Sequence, residues 1–264
     1  MTTLGAVFPP SCPPELLVTA ARTAEGAGLD ELWLWEDCFK ESGIASAAIA
    51  LTATERIRVG VGVMPTPLRN VALTAMEVAT LDRAFPGRFL PGIGHGVQDW
   101  MGQVGNRAES PLTLLREYAT ALRALLAGER VTTEGRYVRL RDVALDWPPL
   151  TAPPVLSAAT GPRTVRLTGE VADGTILEAI STPDDARVAR AVVDEARVAS
   201  GRADGHLLVV NLATTGDPRA DADAVRAHAE AGADTVVVQP AEYDTAPDVD
   251  AFLRYVGTQV RPLV

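Results

Sequence analysis

The stretch Ile57-Arg58-Val59-Gly60-Val61-Gly62-Val63 is a short apolar run rich in β-branched residues. It is followed by Asn70, a good helix N-cap, and then by Leu73, Met76, Val78, Leu81 and Phe85 as the apolar positions of a helix. Pro86-Gly87 stops that helix, and Phe89–Ile93 is the next apolar run of strand length. A strand, a crossover helix and a second strand form one βαβ unit.

The same alternation extends both ways from this unit. Upstream, Leu4–Val7 and Leu32–Trp35 read as strands, with helices over Pro14–Ala27 and Ser42–Ala53. Downstream, a glycine-rich loop from Gly94 to Gly105 leads into the clearest helix, Pro111–Ala127, with Leu112, Leu115, Tyr118, Leu122 and Leu125-Leu126 on one stripe. Val131–Leu140 reads as an inserted hairpin around Glu134-Gly135. Strands at Val155–Ala158, Thr175–Leu177, Leu207–Leu212 and Thr235–Val238 alternate with helices at Arg163–Val171, Pro183–Ala199, Ala220–Ala231 and Val249–Val260. Eight strand–helix units predict a closed (β/α)8 TIM barrel of parallel strands, a single α/β domain over residues 1–264 with one small hairpin inserted after the fourth unit. A doubly wound sheet would place a Gly-x-Gly-x-x-Gly turn after the first strand, where this chain has Pro9-Pro10 and Pro13-Pro14.

Composition narrows the partners. The 264 residues are 47% hydrophobic and 22% charged, with a net charge of −10, which argues against nucleic acid or an anionic membrane as partner. Lys40 is the single lysine, so any phosphate site must use arginine, backbone N–H groups or hydroxyls. Two cysteines, Cys12 and Cys38, and three histidines show no Cys-x-x-Cys or His-x-x-x-His pair, so no metal site is expected. No signal peptide and no membrane span are read from the sequence, and a reducing cytoplasm is the expected location.

A barrel carries its chemistry at the C-terminal ends of its strands. Those tips fall at Phe8, Glu36 and Asp37, Val63, Met64 and Thr66, Gly92-Ile93-Gly94-His95-Gly96, Thr160-Gly161, Glu178, Asn211 and Gln239. Polar tips also follow simply from loops being wet. Alternate glycines at Gly92, Gly94 and Gly96 leave room for a flat ring or a phosphate, or for a tight exit from the strand. Thr160, Gly161, Pro162 and Arg163 open a helix with a hydroxyl, N–H groups and a cation, which suits an anion as well as an ordinary cap. Taken together, the two motifs point to a phosphate-bearing planar cofactor. Glu36 and Asp37 are adjacent, so at most one faces the mouth. Asp37, under aromatic cover from Trp35, is a candidate acid or base, and His95 a candidate for proton handling. An exposed loop acid and an exposed histidine remain the alternatives. His206 and His228 read as structural.

These residues carry a family resemblance over nearly the whole chain. Leu32-Trp33-Leu34-Trp35-Glu36-Asp37, Gly60-Val61-Gly62-Val63-Met64-Pro65 and Phe85-Pro86-Gly87-Arg88-Phe89 are three of its motifs. Gly92–Gly96 leading into Asp99-Trp100-Met101-Gly102-Gln103, then Ser110-Pro111-Leu112-Thr113, Ala159-Thr160-Gly161-Pro162 and Ala172-Asp173-Gly174, complete it. The chain resembles the luciferase-like monooxygenase superfamily, in the branch of methylenetetrahydromethanopterin reductase-like oxidoreductases that use the deazaflavin coenzyme F420. The resemblance implies hydride transfer between F420 and a small organic substrate, or, as alternatives, an FMN-dependent monooxygenase or a cofactor-free barrel with a binding role. It implies that Asp37 contacts the ring or its environment, and that Gly62 and Val63 form a bulge behind the ring, with a non-proline cis peptide between them, ahead of Met64. It implies further that Gly94, His95 and Gly96 flank the ring, and that Thr160 and Gly161 hold the phosphate side chain; with the helix start read above, Ala159, Thr160, Gly161, Pro162 and Arg163 are the expected cofactor-binding residues there. A homodimer through the second and third strand–helix units is also implied. Three positions depart from relatives of known substrate: Cys38 where the sugar-phosphate dehydrogenases have histidine, Val97 where they have a catalytic glutamate, and Val7 where the pterin reductases have an acid. Neither substrate is therefore expected. The chain is short for the family, which implies a trimmed insertion over the substrate.

Overall fold

The computed structural model describes residues 2–180, 182–202, 205–242 and 245–264, with the backbone alone at 178–180. Eight parallel strands close into a barrel: β1 (Thr3–Phe8), β2 (Glu31–Leu34), β3 (Arg58–Pro65), β4 (Phe89–Gly94), β7 (Leu156–Ala159), β8 (Gly174–Ile180), β9 (Leu207–Ala213) and β10 (Thr235–Gln239). β5 (Val131–Glu134) and β6 (Arg139–Val143) pair antiparallel as the expected hairpin outside it. The helices are α1 (Leu17–Gly26), α2 (Gly43–Ala53), α3 (Val71–Ala84), α4 (Gln98–Gln103), α5 (Pro111–Leu126), α6 (Pro162–Val171), α7 (Pro183–Ala199), α8 (Pro218–Glu230) and α9 (Val249–Tyr255). Among the described residues, no helix is long and apolar enough to cross a membrane.

The strands form because their β-branched, buried residues face two apolar layers. Inside the barrel, Val7, Trp33, Val63, Leu90, Leu156, Ala158, Ile176, Val209 and Val237 make a plug. The alternate residues, such as Ala6, Val61, Val210 and Val238, pack outward beneath the helices. Trp33 dominates the plug, and glycines on both sides make its place: a Cβ at Gly60 would lie 2.7 Å from the indole, and one at Gly5 3.0 Å from it. The indole N–H donates to the buried Glu31 carboxylate at 2.8 Å, which Arg58 neutralises.

Three elements differ from the sequence expectation. Pro14–Leu16 form a 3-10 turn ahead of α1, with Pro at its first position. The loop after β4 contains α4, too short to show a period; its Met101 is fully buried, and Arg107 donates to Gln98 O at 3.0 Å. The last helix widens into a π-turn over Val256–Val260, where Gly257 sits against the end of α1 and a Cβ would come within 2.5 Å of Ala27 O.

Candidate active site

The mouth is assembled from loops whose positions are set one by one. At the end of β3 the pairing with β4 shifts register between Val61 and Met64, and the Gly62–Val63 peptide is cis, where the resemblance implied the bulge. Val63 turns into the barrel, while Met64 is buried in the outer layer. The space left by the mouth glycines is largely filled by the protein itself. A Cβ on Gly94 would meet Val63 Cγ2 at 2.6 Å, one on Gly92 would meet Val61 O at 2.2 Å, and one on Gly62 would meet the Trp33 ring at 3.2 Å. Gly96 has φ +69°, a conformation that favours glycine, and lies against Met101 and Pro65. These glycines serve the close approach of β3, β4 and Trp33, a need that the sequence alone does not distinguish from room for a ring.

The adjacent acids at the end of β2 separate into two roles. Glu36 is buried and accepts the N–H of Gly43, the first residue of α2, at 2.6 Å. Both of its carboxylate oxygens also take the Arg69 guanidinium, with Nη2–Oε2 at 2.8 Å. Arg69 in turn meets Glu77 at 3.5 Å. Glu36 therefore ties the loops after β2 and β3 together, and Asp37 is left half-buried beside it. The Cys38–Phe39 peptide is also cis. Burial and the charges of Glu36 and Asp37 push the Cys38 thiol up, which disfavours the thiolate.

His95, half-buried at the end of β4, has Nδ1 2.9 Å from Gly96 O. A carbonyl only accepts, so the neutral ring carries its proton on Nδ1 and presents Nε2 as a base. Gln98 donates to His95 O at 3.1 Å and steadies the loop. Across the mouth, Ala159 is buried and Thr160, Pro162 and Arg163 are exposed around the start of α6. Gly161 is the N-cap, offers no side-chain bond, and stands in open space, with nothing within 4 Å of an added Cβ. A cleft of about 410 Å³ runs from Thr160 and Gly161 to the first turn of α7, so it also contains Asp184 and Asp185. Both acids are engaged: Asp184 pairs with Arg187, and Asp185 closes a capping box with Thr182.

Other tips are structural. Phe8 and Gln239 are buried, and Asn211 donates to Leu177 O at 3.0 Å. The side chain of Glu178 lies outside the described residues. Of the departures, Val7 belongs to the barrel plug, where a carboxylate would need a partner, and Val97 is an exposed N-cap of α4. Two mouth residues escape a sequence reading. Arg69 is identified only by its contact with Glu36. Glu41 has a buried Oε1 without a partner, and burial, then the charges of Asp37 and Glu36, push its carboxyl up against the pull of its own N–H and Lys40. The available signal was an acid four residues after Asp37 in the same loop.

The luciferase-like monooxygenase family model matches residues 6–254, and the chain belongs to that family. It is 32% identical over 187 residues to a 5,10-methylenetetrahydromethanopterin reductase of Methanolobus tindarius, covering 71% of this chain and 57% of that protein. It is 32% identical over 183 residues to an F420-dependent glucose-6-phosphate dehydrogenase of Microbacterium testaceum, covering 65% of this chain and 54% of that one. The matched part thus spans little more than half the length of these relatives. The structure of coenzyme F420-dependent tetrahydromethanopterin reductase from Methanopyrus kandleri superposes with a TM-score of 0.84 at 19% identity, covering 99% of both chains, a likeness of fold.

Proposed function

We propose that this chain, one luciferase-like barrel domain over residues 1–264, binds coenzyme F420 at its C-terminal mouth and moves a hydride between it and a small organic substrate. The observation that carries this is the pairing of an open, uncapped start of α6 at Thr160–Arg163 with a half-buried acid and base, Asp37 and His95, in a chain similar to two kinds of F420-dependent enzyme. The donor set fits such a cofactor: Thr160, the start of α6, which lacks a side-chain cap, and Arg163 suit its phosphate, and the Val63 bulge with Gly94, His95 and Gly96 offers a flat wall to its ring.

When bound, the deazaflavin supplies a hydride at C5. The oxygen or nitrogen beside the carbon that would accept the hydride needs a proton, and the groups at the mouth would hold and deliver it. His95 is one such group: with Nδ1–H committed to Gly96 O, Nε2 picks up a proton as a base and hands it on from the imidazolium. Asp37 is the other, held in place because Glu36 is locked to Arg69 and α2. The dry plug of Trp33, Val63 and Ile176 below keeps water from the base of the site.

Anaerobic titration with oxidised F420 and with FMN tests the cofactor: tighter F420 binding is expected, and tighter FMN binding overturns it in favour of the monooxygenase. Turnover of reduced deazaflavin against imines and enones then finds the substrate class. We also place a homodimer interface on α2 and α3, where Ile49, Leu73 and Met76 are exposed. A dimer by light scattering at micromolar concentration is expected, and a monomer would overturn this placement. A reducing cytoplasm fits the two free cysteines.

A further inference from the structure

Beside the mouth, outside the barrel, a second cavity of about 540 Å³ opens between the turn after β3, the start of α3, the α4–α5 connection and the hairpin. Four arginines line it, Arg69, Arg107, Arg136 and Arg139, and no aspartate or glutamate does. In a chain whose acids outnumber its bases 34 to 24, that concentration of one sign runs against the composition. Arg69 sits at the inner side, held by Glu36 and Glu77. The others stand at the rim on loose tethers. Arg107 pairs with Asp99 at 2.7 Å and Arg136 with Glu109, but those carboxylates are 91% and 81% exposed. Exposed pairs of this kind contribute little and exchange easily for a better acceptor. Arg139 donates to the Gly135 carbonyl through Nε and, among the described residues, has no carboxylate within ion-pair distance. Thr66, on the same wall, is buried, and its hydroxyl has no hydrogen-bond partner. Asn106, also in the lining, adds a side-chain amide, which donates to Pro67 O at 3.1 Å.

We propose that this cavity is a binding site for a small multivalent oxyanion, a polycarboxylate or a phosphorylated compound. Guanidinium forks match carboxylate and phosphate oxygens two at a time, and converging forks without an opposing acid in the wall select a ligand of more than one negative charge. The volume lies within the 300–1,000 Å³ common for small-ligand sites. An oxyanion seated against the inner wall supplies the acceptor that the Thr66 hydroxyl lacks. The site is separate from the Thr160–Arg163 cleft, which shares none of its residues.

Calorimetric titration of the full chain with citrate and with inorganic pyrophosphate, in the absence of any flavin, tests this. Saturable one-to-one binding of at least one probe is expected, and the tighter of the two identifies the ligand class. The double variant Arg107→Gln/Arg139→Gln is expected to weaken it at least tenfold, and so is Arg136→Glu. All three side chains are exposed, so the variants fold, which circular dichroism verifies. No saturable heat from either probe up to about 10 mM, or unchanged affinity in both folded variants, overturns the site. The substituted arginines line this cavity and not the Thr160–Arg163 cleft, so binding that survives in both variants belongs to the mouth, and the outcome is separable from whether the mouth binds F420.

Discussion

The two ends of the barrel are built to opposite rules. At the end where strands enter, acids stand directly before strands and each takes several donors. Asp30, before β2, accepts Leu4 N at 3.0 Å and pairs with Arg261. Asp173, before β8, accepts Val155 N at 3.1 Å and holds Arg123 and Arg202. Asp234, before β10, accepts Leu208 N at 2.8 Å and holds Arg190. The same device therefore recurs: an aspartate side chain accepts an N–H at the start of the neighbouring strand and an arginine neutralises it. At the other end, Asp37, Glu41, His95 and Thr160 are half-buried or exposed, Glu41 Oε1 has no partner, and α6 begins uncapped. The charge-paired aspartates at one end stabilise the closure of the barrel, and at the other the Glu41 Oε1 and the uncapped start of α6 are available to a ligand.

Acid should break the strand-entry end first. His206 is buried there; its Nδ1 accepts from Arg197 at 3.1 Å, so Nε2–H donates to Thr175 at 2.8 Å. Burial, then the charges of Arg197, Arg190 and Arg202, lower its pKa from 6.5 to about 3. In the unfolded chain the ring takes a proton near 6.5, whereas the folded chain keeps it neutral down to about 3. The unfolded state thus binds more protons across that window. Stability is fully present above 6.5 and falls with pH by about 1.4 kcal/mol per unit, some 4–5 kcal/mol across the window. Urea unfolding between pH 7 and 4.5 should show a shallower loss for His206→Gln than for the unaltered chain, and equal slopes would refute this origin.

Asp173→Ala is the next largest perturbation. It leaves the guanidinium groups of Arg123 and Arg202 without their carboxylate and Val155 N–H without its acceptor. Removing one partner of a largely buried pair costs about 3–5 kcal/mol, and the lower end applies since Arg123 is partly exposed. The midpoint of urea unfolding should fall accordingly. At the mouth, Asp37→Asn should do the reverse: unfolding changes by less than about 0.5 kcal/mol, while turnover with deazaflavin drops about 100-fold, the usual scale for losing a positioned acid or base. If stability falls and turnover does not, Asp37 belongs with the structural acids.

How much of this was legible in the sequence follows the same division. Strands such as Val59–Val63 and Val236–Val238 declare themselves because both of their faces are apolar. Helices with good caps, Asn70 for α3 and Thr182 with Asp185 for α7, start within a residue of where the chain says they should. The order of eight units is enough to fix the barrel and to place the mouth. What stayed hidden depends on contacts between distant residues. Glu36 and Asp37 are equivalent until Arg69, 33 positions on, takes one of them. Gly92 and Gly94 suggest ligand space until the Val61 carbonyl and the Val63 side chain occupy it. The oxyanion cavity joins residues from 66 to 139, and no local pattern brings its four arginines together.

The smallest expected effect is also the sharpest test of where the cofactor lies. Phosphate sites in barrels commonly use the last two strand ends. Here β9 and β10 end in Asn211, Leu212 and Ala213 and in Gln239; Asn211 is committed to Leu177 O, and Gln239 O to Thr214 N. The end of β7 instead offers Thr160, an open Gly161 and Arg163 at an uncapped helix start, whose partial positive charge favours an anion by about 0.3–1 kcal/mol before hydrogen bonds are counted. Asp184 and Asp185 face the same cleft, so its tolerance for a phosphate depends on Arg187 and the Thr182 cap keeping those charges engaged. One more carboxylate at Thr160 would compete with the phosphate for Arg163 and the start of α6. Thr160→Glu should therefore weaken cofactor binding about tenfold or more, roughly 1.4 kcal/mol, while leaving the unfolding midpoint unchanged because Thr160 is exposed. Normal binding by that variant would move the phosphate to the ends of β9 and β10 and leave the start of α6 an ordinary helix terminus.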